Sequence, residues 1–514
     1  MLLFLTWRKH INYIKSVCSR RLSILRALNC SNWGSNRQLL KNFSLSFIRS
    51  KIAYGLEVYS SASKSLIQSL EIINNNAIRI ITGLRRSTPI TSILYESGIT
   101  SITNLITFLL AKQLTRIYKL PSNHISFHLI NTQSEYLESI SWNKFQHKSP
   151  FYIRAIRACN LLNYKLEEIS KIQHYFLSPW FDINSFIRVD FGGFSSKNSS
   201  GKAINLLFTD LTSTKYVDYL RIFTDGSKQS SGEVGSASFI EQIHFILSWN
   251  LSSDHSVLAA ELFAISCSLD WLLENPQYKK SVIFTDSLSS LKMIQGCLKF
   301  SYFMLISKIQ KQLYKLASSS REIVLQWIPS HTIPQNDIAD TIAKQACWYE
   351  EPTFLPLELE ESISLLKTKF FTYKRQLWER DKLTLHLFKI LDDIYKWKWI
   401  SSGSKHCDAL LARFRSGSVG LRKYLFKMKL VDSPYCLHCS NNIEESIIHF
   451  LLECPRYTDS RAKLVLALKK LNICTSPVSL SILLDGAGFS PQKRVKIMWI
   501  FYNFLKSTGK LSLL

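Results

Sequence analysis

Apolar residues recur at helical spacing through the first part of the chain. Leu22, Leu25 and Leu28 share one face, and so do Leu66, Leu70, Ile73 and Ala77. Residues 1–125 are therefore expected to form a helical domain. Basic side chains interleave with these stripes: Arg20, Arg21, Arg26, Arg49, Lys51, Arg85 and Arg86. Over 126–215 the periodicity weakens, Ser and Asn become frequent, and Gly192-Gly193 and Ser195-Ser196 interrupt the chain. This stretch predicts a partly helical spacer, then a linker at 185–215.

The pattern changes at 216–349. Arg221 to Thr224 is a short β-prone run leading into Asp225-Gly226-Ser227, and Val234–Ile240 and Phe245–Trp249 continue the alternation. These predict three antiparallel strands. Leu258, Leu262, Ile265, Leu269 and Leu272 then follow a helical repeat, and Ser252, Ser253 and Asp254 are candidate caps. The apolar run Ser281 to Thr285 ends in Asp286 and lies between helices, as a strand buried on both faces would. A helix with Lys308, Lys311 and Lys315 follows, then the strand Ile323 to Trp327. Last comes a helix that Asn336 can cap, carrying Asp337, Asp340 and Lys344. The predicted order is β-β-β-α-β-α-β-α. Residues 350–430 read as a helical connector, 431–460 as a small metal-binding motif and 461–514 as a helical tail.

Charge sharpens this division. The 514 residues carry 64 Lys and Arg against 38 Asp and Glu, a formal net charge of +26. An excess of that size points to a polyanionic partner, most simply nucleic acid. Residues 1–120 hold 17 basic residues, three Glu and no Asp, and the first aspartate is Asp182. Residues 220–346 balance 11 basic against 11 acidic residues, whereas 421–514 return to 14 against six. Hydrophobic content of 46% excludes wholesale disorder. No continuous apolar run reaches spanning length, and the opening Met1 to Leu5 is too short for a signal core. The expectation is an intracellular protein, in nucleus or cytoplasm, with reduced cysteines and no membrane partner.

A carboxylate at the end of an apolar strand is costly unless something compensates it. Asp225, Glu261, Asp286 and Asp340 lie at strand ends or on the helices beside them, a set that suits Mg²⁺ or Mn²⁺. Two such ions about 4 Å apart can activate water and stabilise the leaving oxygen of a phosphodiester. Each acid has a plainer reading. Asp225 also suits a turn, Asp286 a helix cap, Asp337 and Asp340 a helix N-terminus, and Glu261 a solvated surface.

Thr224-Asp225-Gly226-Ser227, Ala260-Glu261-Leu262, Thr285-Asp286-Ser287, Trp327 to His331 and Asn336 to Asp340 together resemble a type-1 ribonuclease H domain. The resemblance implies a five-stranded mixed sheet with flanking helices, and two-Mg²⁺ hydrolysis of the RNA strand of RNA–DNA hybrids. Carried over by position, Asp225 would contact both metals. Glu261 would hold one and sense the RNA 2′-hydroxyl, and Asp286 and Asp340 would complete the shell. His331 would assist proton transfer or product release. The segment from His331 to Asn336 is one residue shorter than the family pattern and lacks its two glycines. The fourth acid, with a histidine nine residues before it, separates this reading from a three-acid transposase on the same fold.

The flanks carry further resemblances. Trp7, His10-Ile11, Arg21-Leu22, Trp33-Gly34, Arg49 to Lys51, Tyr54-Gly55 and Ser61 to Lys64 resemble the helical thumb that follows the polymerase core in non-LTR retrotransposon reverse transcriptases. No paired aspartates on a strand–turn–strand occur, and Asp392-Asp393 sits in a Lys- and Trp-rich helical segment, so no polymerase activity is expected. Cys436, Cys439, His449 and Cys454 have the spacing of a tetrahedral Zn²⁺ site, with His438 as a rival ligand. Their context resembles the zinc-binding tail after ribonuclease H in such elements. Arg422, Lys423, Lys427 and Lys429 beside it are candidate phosphate contacts. Cys407 and Cys474 read as structural. The expected partners are RNA–DNA hybrid, other nucleic acid and a polymerase-bearing protein. The rival expectation is an inert nucleic-acid-binding remnant.

Overall fold

The computed structural model describes residues 6–30, 34–121, 123–127, 130, 149–166, 181–191, 201–296, 302–390, 399–440, 442–473, 479–485, 488–511 and 513. Trp33, Gly192-Gly193, Ser195-Ser196, Asp392-Asp393 and Cys474 lie outside them. The chain divides into two compact units. One comprises 1–110, 141–161 and 370–514, the other 111–140 and 162–369.

The second unit is built on one sheet. Its strands are β1 (Ile187–Arg188), β2 (Leu220–Lys228), β3 (Val234–Ile240), β4 (Phe245–Leu251), β5 (Lys280–Thr285) and β6 (Glu322–Trp327). The spatial order is β1-β6-β5-β2-β3-β4, with β2-β3-β4 antiparallel and β1, β6, β5 and β2 parallel. The helices that follow these strands include α1 (Val257–Glu274), α2 (Leu288–Ile294), α3 (Phe303–Ser318) and α4 (Pro334–Ala346).

Alternation along the central strands gives each face its own core. Ile222, Ile283 and Leu325 pack with Leu262, Ile265 and Leu269 of α1 and Ile309 and Leu313 of α3. Phe223, Phe284 and Val324 pack instead with Ala339 and Ala343 of α4 and Phe208. Phe223 and Phe284 stack with centroids 5.1 Å apart. Burying such side chains contributes about 1.5–3 kcal/mol each.

Several sequence expectations change here. The sheet has six strands, not five, because the predicted linker contributes β1. That linker also contains helix Gly201–Thr214, whose Phe208 joins the core. Asp225 does not end its strand: β2 runs three residues further, because Gly226, Ser227 and Lys228 pair with Ser236, Gly235 and Val234. Ser256, not Ser252 to Asp254, caps α1, its side chain accepting from Ala259 N. α4 starts at Pro334, so Asn336 lies inside it and is not the cap. Proline fits there because its missing N–H would have had no helical partner.

The second unit continues to residue 369. Thr353 N donates to Asn250 O at 2.7 Å, beside the outer edge of β4. Glu361 accepts from Ser256 N at 2.8 Å and pairs with buried His255 at 3.1 Å. Glu358 accepts from Met304 N at 2.9 Å and holds Lys119. Two carboxylates thus satisfy open N–H groups at the starts of α1 and α3.

In the other unit, helices Arg8–Leu28 and Lys64–Thr82 bury the predicted stripes. Leu22, Leu25, Leu70, Ile73 and Ala77 are interior and share their cluster with Ala412. These helices fall in the same compact unit as residues 370–514. Glu96 is fully buried between Arg37 and Arg415, accepting from Arg415 Nε at 3.0 Å. Burial raises its pKa, but the two guanidiniums outweigh that and hold it below the usual carboxylate range. Breaking one partner of such a set costs about 3–5 kcal/mol.

Candidate active site

Parallel register brings the first two acids together. Thr224 of β2 pairs with Thr285 of β5, so the following residues, Asp225 and Asp286, emerge side by side. Glu261 comes from the second turn of α1. Gly226 allows that approach: a Cβ there would lie 2.6 Å from Glu261 N and 2.9 Å from Ala260 C. Gly235 does the same for α4, since its Cβ would meet Ala343 O at 2.0 Å. α4 carries Asp340.

Asp225, Glu261 and Asp286 each offer a carboxylate oxygen within 4.8 Å of the others. Asp225 lies within hydrogen-bond reach of Glu261 and Asp340. Asp340 also pairs with Lys344 one turn along α4. Burial, then the charges of Asp286 and Asp340, push the Asp225 pKa up to about 8. Burial and the neighbouring carboxylates also raise Glu261 well above its usual value. Asp286 is raised by burial, against the opposing pull of His331 and a hydrogen bond from Ser330.

These groups fit a divalent cation. The donors are hard oxygens from separate elements, and Glu261 Oε2 is buried with no hydrogen-bond partner among the described residues. An orphaned carboxylate oxygen beside two like charges is stabilised only by a proton or a cation.

For Asp225, Glu261 and Asp286 the plainer readings do not hold. Asp225 is in a strand rather than a turn, and Glu261 is buried. Asp286 makes no side-chain cap of α2. Asp337 does remain an exposed residue in the first turn of α4. His331 is exposed and near enough to Asp286 to lower its pKa, with φ of 52°. The short loop lacks glycine, so the histidine itself takes the left-handed conformation.

Three neighbours stand beside these acids. Trp327 Nε1 donates to Asp286 O at 3.1 Å, Ser330 is near enough to lower the pKa of Asp286, and Lys344 holds Asp340. Trp327 and Ser330 lie in the motif run Trp327 to His331, which assigned them no role of their own, and Lys344 follows Asp340 by four residues on one helix.

A family profile described as RNase H matches residues 218–348. Residues 218–348 are an RNase H domain. The chain is similar to RNase H1 from the halophilic archaeon Halobacterium salinarum NRC-1, at 15% identity, 25% coverage of this chain, 96% of that one and a TM-score of 0.21. It is also similar to the N-terminal RNase H domain of a Mycobacterium tuberculosis protein, solved as a fusion with maltose-binding protein. That match has 20% identity, covers 25% and 94% of the two chains, and has a TM-score of 0.21. No curated protein matches the chain.

Outside the RNase H domain, Cys436, Cys439, His449 and Cys454 converge in the same way. Cys436 Sγ and Cys439 Sγ lie 3.8 and 3.9 Å from Cys454 Sγ, and Cys439 Sγ is 3.4 Å from His449 Nε2. Thiolates bound tetrahedrally at about 2.3 Å from one ion would lie about 3.8 Å apart, so the donor set fits Zn²⁺. The sulfurs are far beyond the disulfide bond length. His438 is exposed and outside the group. Cys436 N bonds Ile443 O at 2.8 Å, closing the knuckle. Ile447 and Leu451 pack beneath with Phe450, whereas Ile448 is exposed.

Proposed function

We propose that the chain is a metal-dependent ribonuclease that cuts the RNA strand of RNA–DNA hybrids. One observation carries this reading: carboxylates from β2, α1 and the end of β5 each offer an oxygen within 4.8 Å of the others, and among the described residues Glu261 Oε2 has no hydrogen-bond partner. Asp225, Glu261, Asp286 and Asp340 would hold two Mg²⁺ or Mn²⁺ ions. Such ions, when bound, activate a water and stabilise the leaving oxygen of the phosphodiester. Glu261 also accepts the RNA 2′-hydroxyl, which is how this site distinguishes RNA from DNA. His331, exposed beside Asp286, carries a proton to or from the departing product.

The cysteine–histidine group holds a structural zinc in this reading. The first helices serve as the thumb, and the whole is the carboxyl-terminal part of a non-LTR retrotransposon reverse transcriptase polyprotein. It acts in nucleus or cytoplasm beside a polymerase-bearing partner, and we assign it no polymerase chemistry. What supports this context is the thumb-like and zinc-tail motifs flanking the RNase H domain in order.

The test is cleavage of a labelled RNA–DNA hybrid by the full chain with and without Mg²⁺. Metal-dependent cutting of the RNA strand is expected, with single-stranded RNA spared. Asp286→Asn should slow cutting about a hundredfold or more, since metal chemistry contributes several kcal/mol. Unimpaired cutting by that variant would sink the site assignment. Tight binding by the wild-type chain without cutting would favour the inert remnant.

A further inference from the structure

The first unit gathers cations from two distant stretches of chain. Helix Lys64–Thr82 ends at Gly83, and the loop beyond it carries Arg85 and Arg86. Arg79 Nη2 lies 3.4 Å from the carbonyls of Arg86 and Thr88 and fixes that loop. Arg413 Nε donates to Gly83 O at 3.2 Å. The Arg85 guanidinium lies 5.7 Å from the Tyr424 ring centroid, and the Tyr424 hydroxyl bonds Ser87. The loop is thereby joined to helix Arg422–Lys427, on which Lys423 and Lys427 are exposed, as Arg86 is on the loop.

Among the described residues, two acids lie beside this face. Glu444 pairs with Lys423, but Glu445 is buried and spent on Arg422 N and Lys510. Burial and then Arg85 lower the pKa of Arg413; burial and then Arg86 lower that of Arg79. Like charges crowded together cost free energy, and an anionic ligand relieves it. A cavity of about 400 Å³, lined in part by Ser87, His386, Ser418, Lys423 and Lys427, lies at the same junction.

We propose that loop 84–88 and helix Arg422–Lys427 form one face that grips the phosphate backbone of a nucleic-acid duplex. A single-strand platform needs several bared rings on which bases stack. Here Tyr424 is covered by Arg85 and tied to Ser87, leaving Phe426 as the exposed ring of the helix. Dispersed cations with neighbouring hydroxyls match backbone contacts instead.

The face stands independently of the ribonuclease reading, and its test separates the two. Binding of a labelled RNA–DNA hybrid is measured by anisotropy over a salt series, using the full chain carrying Asp286→Asn to block cutting. Arg86→Ala and Lys427→Ala should each weaken binding about threefold to tenfold and flatten the log Kd–log salt slope by about one. Lys427→Arg should restore both. Unchanged affinity and slope in both alanine variants, with melting curves like the parent's, overturn the proposal. So does tighter binding to single-stranded RNA, or to anionic lipid vesicles, that is lost in the same variants. Cutting by the chain with Asp286 intact is read separately, so either assignment can fail alone.

Discussion

At the residue scale, the site depends on two glycines as much as on four acids. Gly226 and Gly235 contribute no chemistry. Each leaves room for backbone from the helix that carries an acid, Glu261 on α1 and Asp340 on α4. Gly226→Ala puts a methyl 2.6 Å from a backbone nitrogen that no rotamer change can move aside. We expect about 1–3 kcal/mol of destabilisation in chemical denaturation. Cutting should fall further than stability alone explains, because Glu261 shifts with its helix. Wild-type stability and activity in that variant would refute the close-approach argument.

At the element scale, the knuckle holds a basic helix in place. Glu445, one residue past the bridge that closes the hairpin, accepts from Arg422 N at 2.9 Å, and its carbonyl accepts from Lys423 N. Helix Arg422–Lys427 spans six residues, too few to be stable alone. Cys439→Ser should abolish binding of one zinc per chain, measured by metal analysis. It should also cost several kcal/mol, the scale of a structural zinc site. An intact wild-type chain purified without zinc, and indifferent to chelator, would rule the metal out. Glu358 and Glu361, beyond the RNase H domain, show the same logic, since their carboxylates cap the starts of α3 and α1.

At the scale of the whole molecule, the carboxylate cluster ties stability to pH and metal. Asp225, Glu261 and Asp286 have folded-state pKa values above those of an unfolded chain. The folded protein therefore binds more protons than the unfolded one between the ordinary carboxylate range and about pH 8, the Asp225 value. Without metal, this contribution to stability is fully present at low pH and is lost as pH rises through that window. A bound cation replaces the protons. The Mg²⁺-induced rise in Tm should therefore be larger at pH 8 than at pH 6, and Asp286→Asn should shrink the difference. A metal effect that is flat across this range would contradict the assignment of the cluster as a cation site.

Much of this was legible in the amino-acid sequence. The order of strands and helices from 220 to 346 follows from local periodicity, because side chains alternate along a strand and recur every three to four residues along a helix. The Cys436–Cys454 spacing is similarly local. Other features depended on residues far apart in the chain. β1 formed because Ile187 and Arg188 met the edge of β6 in register with Leu325 and Gln326. The continuation of β2 past Asp225 depended on its partners in β3, not on its own turn-prone sequence. The Glu96–Arg415 pair spans 319 residues and makes one body of segments whose composition suggested several. Periodicity reports which face of an element is apolar. Tertiary structure alone decides what covers that face, because burial and charge pairing are properties of neighbours in space.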